Sequence, residues 1–466
     1  MGKGKKRGVA NRAVKGVKTS SSAHASAVLA DSGLSAGGGF IGFSSFATTS
    51  AHGPATGGST NGDSGGVAPF YTGDDSGIGV LFKGVAKKDA TTKLKSLQEL
   101  LQKLSHVERK QVAQALPHYG YLFVKLLKSN DRRIRLIANT LLHIFALKGF
   151  PKLFTRIRDD VILTLWSACF DPYRAASEKA RATFLLVFPG MEDRKCDRAG
   201  GQKGVDGTLA SNLYASCDPK ALRILQAGLK RTILSSPRDL SDKNDDDETV
   251  KNRYERTLVM ALHGLGTLLR HKPEAGELSE YQQFFGKKQF WNLISSKNSR
   301  IRNSMFAFFT DLMGIEDPSS LAGVLPKMAN AILSYGLKEQ VRDNVGRMWD
   351  AALTFMRMFP NFHEQIDVRK SVYPRIWSMI DSGFFGAEDL SCPKLLPLIS
   401  LLPASYEGYN IKNDKRVELI QKLMQHLNRE PLATVGDGLR FELIVQAILE
   451  CSSFMLMWVN KGQKQG

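Results

Sequence analysis

The fold of this chain is decided by the stretch Asp131-Arg132-Arg133-Ile134-Arg135, whose pattern occurs twice more. The second copy is Asn298-Ser299-Arg300-Ile301-Arg302, and the third is Lys338-Glu339-Gln340-Val341-Arg342. A weaker copy begins at Asp171. In each strong copy an apolar residue stands three positions after the first residue and an arginine four positions after it. Apolar residues then continue at the three- and four-residue spacing of a helix face, so each copy predicts the start of a helix.

The copies recur with a period of 40 residues, from Asp131 to Asp171 and again from Asn298 to Lys338. A period near 40 with two helices per unit is typical of HEAT and armadillo repeats. In such a unit we expect the first residue of the pattern to cap the second helix and the apolar residue to enter the core. The arginine is expected to bond the loop of a neighbouring repeat. Because one unit cannot bury its apolar face alone, the repeats must stack.

The sequence therefore predicts an all-α, HEAT/armadillo-like helical-repeat solenoid with a disordered N-terminal tail. No stretch alternates in the way that a sheet requires. Asp89 is predicted to cap the first long helix, Pro117 lies near the start of a second, and Asp131 opens a third. The predicted domains are the tail (1–76), the solenoid (77–460) and a polar C-terminal tail (461–466).

Two stretches interrupt the helical rhythm, residues 191–210 and residues 235–249. Both are predicted to be solvated loops. The second is acidic, and it is either a plain loop between helices or a binding site for a basic partner.

The N-terminal tail is basic at its start and rich in Gly, Ser and Ala. It offers too little apolar surface to offset the entropy of ordering. One apolar island interrupts it, Gly39-Phe40-Ile41-Gly42-Phe43. Phe40, Ile41 and Phe43 are either a motif that docks on a partner or a segment that packs on the chain's own solenoid.

Composition favours an anionic partner, because the 466 residues carry a formal net charge of +19. RNA, DNA, an acidic protein face and an anionic membrane all fit this charge, as does a soluble protein with basic loops. Five scattered cysteines favour a reducing compartment over a disulfide framework. No apolar run approaches the roughly 20 residues of a membrane span, and the N-terminus does not resemble a secretory signal. We therefore expect a soluble protein of the cytosol or the nucleus, with the cytosol preferred.

Motifs of enzymes are missing from the sequence. It contains neither a nucleophile elbow nor a phosphate-binding loop. His363-Glu364-Gln365-Ile366-Asp367 begins like the helix of a zinc protease, but Asp367 stands where the second histidine is required. The cysteines and histidines are expected to be core or ordinary helical residues.

Several segments resemble listerin, a family of RING-type E3 ubiquitin ligases. These are Gly39–Phe43, Lys87-Lys88-Asp89-Ala90-Thr91-Thr92-Lys93-Leu94-Lys95, and then Leu116–Tyr119 and Asp131–Arg135 in the family's order. The resemblance implies a role in ribosome-associated quality control. Members of the family bind stalled large (60S) ribosomal subunits, including their rRNA, beside a NEMF-type partner, and they ubiquitinate the trapped nascent chain.

The sequence departs from the family at the catalytic domain. A RING needs eight Cys/His ligands around two zinc ions, and five scattered cysteines cannot supply them. No cofactor is therefore expected in this chain, and zinc and the ubiquitin-conjugating enzyme are expected only at the missing RING. The chain is not expected to transfer ubiquitin alone, although a complete ligase is one hypothesis to test.

The candidate residues for binding the ribosome or a partner are Phe40, Ile41, Phe43, Lys87, Lys88, Arg132, Arg133 and Arg135. Lysine and arginine can displace counterions from rRNA phosphates. Arg135 also occupies the structural arginine position of the repeat. The competing hypothesis is a HEAT-repeat scaffold or transport adaptor that binds protein partners.

Overall fold

The computed structural model describes residues 71–148, 159–188, 205–217, 219–240, 245–271, 277–315, 321–402, 414–429 and 437–463. Within these ranges the chain is helical, and none of it is β-strand, so the predicted all-α class is confirmed. The first helices are α1 (Ser76–Val85), α2 (Ala90–His106), α3 (Arg109–Leu127), α4 (Arg132–Leu147), α5 (Asp159–Ala168), α6 (Arg174–Val187), α7 (Val205–Ser216), α8 (Pro219–Leu234) and α9 (Asp247–His271). The remaining helices are α10 (Glu277–Gly286), α11 (Lys288–Asn292), α12 (Ser299–Met313), α13 (Leu325–Ala329), α14 (Arg342–Met358), α15 (Val368–Ser371), α16 (Tyr373–Asp381), α17 (Glu388–Leu401), α18 (Lys415–Arg429) and α19 (Asp437–Gln463).

Short polar residues start the helices, as the sequence pattern predicts. The carboxylate of Asp89 accepts the backbone N–H of Thr92 at 2.6 Å, and that of Asp131 accepts the N–H of Arg133 at 2.8 Å. Asn298 caps α12 in the same way. Each cap satisfies an amide that the first turn of a helix leaves without a partner.

Helices α2, α4 and α6 stack side by side and run in the same direction. At their C-terminal ends, Lys148 donates to the carbonyl oxygen of Val107 at 2.8 Å. Further along the row, Asn139 of α4 donates to the carbonyl of Ala176 in α6, and His143 meets Thr183. Because the C-terminal ends of α2 and α4 coincide and the two helices are of similar length, their N-terminal ends share the opposite edge.

A second run of parallel helices comprises α9, α12, α14 and α17. His263 of α9 meets Ser304 of α12, and Arg270 meets Asp311, both at a sequence separation of 41 residues. Trp349 of α14 donates to Ser391 of α17 at a separation of 42 residues. These separations confirm the period near 40 residues that the sequence predicts.

The arginine of the pattern bonds the next repeat, as predicted. Arg135 Nε lies 2.6 Å from Asp171 Oδ2, and Arg302 Nε lies 2.7 Å from Glu339 Oε2. Each guanidinium also donates to the carbonyl oxygen of the turn before its own helix, that of Ser129 or of Ser296. The apolar residues beside them, in the fourth position of the pattern, are buried, so the first two copies behave alike.

The third copy is wrong in register. Lys338 does not cap α14, because Glu339 supplies the carboxylate that accepts the N–H groups of Gln340 and Val341. Val341 does not enter the core and is 37% exposed. Arg342 instead pairs on the surface with Asp389 at 2.7 Å.

Three further sequence predictions need correction. Pro117 lies in the middle of α3, not near its start. The stretch 235–249 is partly helical, since it holds a 3₁₀ turn (Pro237–Leu240) and the start of α9. Residues 205–210 likewise belong to α7, while residues 191–204 lie outside the described ranges.

Large aromatic side chains fill the space between the stacked helices. Trp166 and Trp349 are fully buried, and the indole N–H of Trp166 donates to the carbonyl of Gly264 at 3.2 Å. Among the described helices, none is long and apolar enough to cross a membrane.

Candidate functional site

Exposed cations gather where the N-terminal ends of the stacked helices meet. We call this surface the basic edge and define it by five exposed residues, Lys87, Lys88, Arg132, Arg133 and Arg300. The structure thus brings four of the residues predicted from sequence to one edge of the array, and Arg300 joins them.

Lys87 and Lys88 lie in the turn between α1 and α2, directly before the cap Asp89. This turn corresponds to the turn before α4, because α2 and α4 are parallel neighbours. Among the described residues, neither lysine forms an ion pair. Hydrogen bonds from Thr92, and to a lesser extent the charge of Lys87, hold the pKa of the Asp89 carboxyl below its usual value, so Asp89 offsets part of the charge of Lys87.

Arg132 and Arg133 are the first two residues of α4 and differ in their partners. Arg133 folds back onto Asp131, at 2.8 Å, and this hydrogen bond lowers the pKa of the Asp131 carboxyl. Arg132 lies over the ring of Tyr173, with its guanidinium carbon 5.3 Å from the ring centre. Arg132 is therefore the less neutralised of the two arginines.

Arg135 differs from the other predicted residues because it is only 5% exposed. Asp171 holds its guanidinium through two hydrogen bonds, at 2.6 and 3.1 Å. Two backbone carbonyls occupy the remaining donors that point toward the turn. A buried and fully engaged guanidinium joins two repeats, and its prediction as a partner-binding residue has no exposed surface to support it.

Sequence reasoning missed two arginines near this edge, Arg256 and Arg300. Arg300 occupies the same pattern position as Arg133, so the repeat itself carried a signal for it. No sequence pattern indicated Arg256, because it reaches the edge only through the packing of α9. Its guanidinium donates to Asn130 Oδ1 at 2.9 Å and to the carbonyl of Lys128 at 3.0 Å.

Phe40, Ile41 and Phe43 lie outside the described residues, so their role in docking stays a prediction. The His363–Asp367 stretch is not a single helix, because Phe362–Glu364 forms a 3₁₀ turn and Asp367 caps α15. In the described ranges, no three side chains of His, Cys, Asp or Glu lie close enough together to hold a metal ion. Burial raises the pKa of the Cys392 and Cys451 thiols to about 12, as expected for core residues.

The chain is similar to one family along most of its length. A family model described as E3 ubiquitin-protein ligase listerin, N-terminal domain, matches residues 74–198 and 223–402. Among similar curated proteins, E3 ubiquitin-protein ligase listerin of Mus musculus is 25% identical over 397 residues, covering 84% of this chain and 21% of the relative. The listerins of Gallus gallus and Drosophila melanogaster are 23% and 21% identical, covering 90% and 86% of this chain. The matches cover 22% and 23% of those two relatives. The chain thus spans about a fifth of the length of the curated relatives it matches.

Proposed function

This chain belongs to the listerin family, and from that premise we propose that it is the ribosome-binding N-terminal module of a listerin-type E3 ubiquitin ligase. In this proposal it acts in the cytosol, in ribosome-associated quality control. It binds stalled large (60S) ribosomal subunits, including their rRNA, beside a NEMF-type partner. In such a ligase, ubiquitination of the nascent chain is the task of a RING and its ubiquitin-conjugating enzyme.

The basic edge is the observation that carries the proposal. Lys87, Lys88, Arg132 and Arg133 stand at equivalent ends of the parallel neighbours α2 and α4, and Arg300 lines the same cleft as Arg132, so these charges are grouped rather than scattered. Among the described residues, Lys87, Lys88 and Arg132 form no salt bridge, although Asp89 offsets part of the charge of Lys87. Cations in this state release counterions when they meet phosphates, which favours a polyanion such as rRNA.

Charge reversal of the lysine pair tests the proposal. We expect Lys87→Glu with Lys88→Glu to weaken co-sedimentation with purified 60S subunits across a salt titration. Each lost phosphate contact should lower the slope of log affinity against log salt by about one.

Arg109→Glu with Lys110→Glu is the matched control. These two neighbours are also exposed, and they begin α3 at the opposite edge of the array, where α2 ends. The same change in net charge should therefore have little effect there. If both variants lost 60S binding equally, the loss would be a non-specific effect of net charge and the basic edge would not be the binding site. Failure of the wild-type chain to co-sediment at low salt, with capture of nuclear cargo instead, would favour the transport adaptor.

A further inference from the structure

Helix α9 extends past the start of its neighbour α12, and its first turns form one side of a cleft. The contacts of His263 with Ser304 and of Arg270 with Asp311 place residue 258 level with Ser299, the first residue of α12. Residues 247–257, which we call the α9 extension, therefore continue for about three turns beyond the edge. This extension packs on the turn before α4, where Asn130 donates to the carbonyl of Thr249 at 2.9 Å.

A cleft of about 580 Å³ opens between the α9 extension and the basic edge, and we call it the arginine cleft. Four arginines line it, Arg132, Arg135, Arg256 and Arg300. Arg135 is neutralised by Asp171, which leaves Glu255 as the one carboxylate in the lining against three arginines. The cleft is therefore cationic.

The positive charge of the cleft is incompletely compensated. Burial, with the positive charge of Arg135 next, lowers the pKa of Arg256 to about 10. Its Nε is buried and has no hydrogen-bond partner among the described residues. Arg256 thus holds its positive charge in a partly desolvated setting, and an anion that enters the cleft gains from its attraction to that charge.

The corresponding cleft at the second copy of the pattern, about four periods further along the chain, shows how the arginine cleft differs. It has a volume of about 520 Å³ and lies beside the Arg302–Glu339 pair. Both members of that pair line it, so its guanidinium is matched by a carboxylate. Its one other cation is Lys338, which lies 4.9 Å from the centre of the Tyr335 ring. An excess of arginine is therefore a property of the first cleft and not of the repeat.

We propose that the arginine cleft binds the phosphate backbone of unpaired RNA, which deepens the proposed function and rests on it. A guanidinium group can bond two phosphate oxygens at once. The volume of the cleft suits about one nucleotide rather than a duplex. Tyr173, half-buried in the lining, carries the guanidinium of Arg132 over its ring, and aromatic rings and guanidinium planes are both groups on which unpaired bases stack. A partner with only carboxylates would not use this ring.

The test is fluorescence anisotropy of the purified chain with a labelled ten-nucleotide oligouridine. We expect Arg132→Ala with Arg300→Ala to weaken binding roughly tenfold or more, because two charged hydrogen-bond donors are lost. Glu255→Gln should strengthen binding about threefold, because it removes the opposing charge. Arg109→Ala with Lys110→Ala removes two exposed cations elsewhere and should leave binding within about twofold. Unchanged circular dichroism would show that the variants fold.

Three results would overturn the assignment. The first is equal weakening by the control pair, and the second is no weakening by the cleft pair. The third is a blunt RNA duplex or a phosphoserine peptide that binds as tightly as oligouridine and with the same response to the variants. If the cleft variants left oligouridine binding unchanged while 60S binding still depended on Lys87 and Lys88, this site alone would be refuted. Oligouridine binding without any 60S binding would refute the proposed function instead.

Discussion

Arg302 and Arg342 hold the same position of the repeat pattern. Arg302 has a structural role because its ion pair is buried, whereas Arg342 lies on the surface. Glu339, the partner of Arg302, has a carboxylate that is only 1% exposed, whereas the Arg342–Asp389 pair is about half exposed on both sides. Removing one member of a buried pair leaves a charge without compensation. We expect Arg302→Ala to lower the free energy of unfolding by about 3–5 kcal/mol in a urea titration.

Arg342→Ala is the matched variant, and it should cost less than about 1 kcal/mol because its ion pair is solvated. Replacing Arg302 and Glu339 together by leucine should recover only part of the loss, since no charge is then left buried but the N–H groups of Gln340 and Val341 lose their acceptor. A small effect of Arg302→Ala, no larger than that of Arg342→Ala, would contradict a structural role for the buried pair.

His263 makes the stability of the array depend on pH. Burial, together with the positive charges of Arg347 and Arg181, lowers its pKa to about 4. The unfolded chain binds a proton near pH 6.5 while the folded chain does not. Stability is therefore full above pH 6.5 and falls as the pH drops toward 4, by about 2 kcal/mol at pH 5.

We expect His263→Gln to flatten the dependence of the urea midpoint on pH between 6.5 and 5. Glutamine takes up no proton on unfolding in this range, and its amide can still bond Ser304, which lies 3.2 Å from the histidine Nε2. His106 is exposed at the end of α2, and His106→Gln should keep the dependence of the wild type. Parallel pH curves for wild type and His263→Gln would contradict this assignment.

At the scale of elements, sequence could predict helix starts where the cap and the buried residue are local. Asp89, Asp131 and Asn298 all cap as expected, because each bonds an amide within three residues. The third copy failed because a π-helix (Asn330–Tyr335) and a 3₁₀ turn (Gly336–Lys338) precede it. These segments have a different number of residues per helical turn from an α-helix. The carboxylate that bonds the backbone N–H groups is therefore that of Glu339, although the sequence pattern places the first residue of the copy at Lys338.

Two glycines within helices allow the effect of helix preference on stability to be distinguished from the effect of packing. A methyl group at Gly346 in α14 would meet nothing within 4 Å, whereas at Gly264 in α9 it would lie 2.9 Å from Nε1 of the buried Trp166. We expect Gly346→Ala to stabilise the chain by about 0.5–1 kcal/mol, because alanine favours the helix. Gly264→Ala should destabilise it by about 1–3 kcal/mol through overpacking. Thermal melting measures both, and changes of the same sign would contradict the packing around Trp166.

At the scale of the whole molecule, sequence predicted the repeat period and the helical class, and it named Lys87, Lys88, Arg132 and Arg133 as candidates without placing them at one edge. It could not predict the arginine cleft. That cleft depends on the length of α9 and on Arg253 and Arg256, which bond a turn more than a hundred residues earlier. No local pattern encodes such a contact, because it exists only once both runs of helices are stacked.

This long-range contact also predicts an exception to the nearest-neighbour behaviour of repeat arrays. Stability in stacked repeats is normally shared between adjacent units alone. Arg256 instead bonds the carbonyls of Leu127 and Lys128, at sequence separations of 129 and 128 residues. We therefore expect Arg256→Ala to raise amide hydrogen exchange in two places at once, the turn at 127–131 and the α9 extension. Arg342→Ala is the control, because its partners Gly386 and Asp389 belong to the next unit, and exchange should rise only there and at the start of α14. If Arg256→Ala loosened the α9 extension while leaving the 127–131 turn protected, the two runs would be joined elsewhere, through Trp166 and the carbonyl of Gly264.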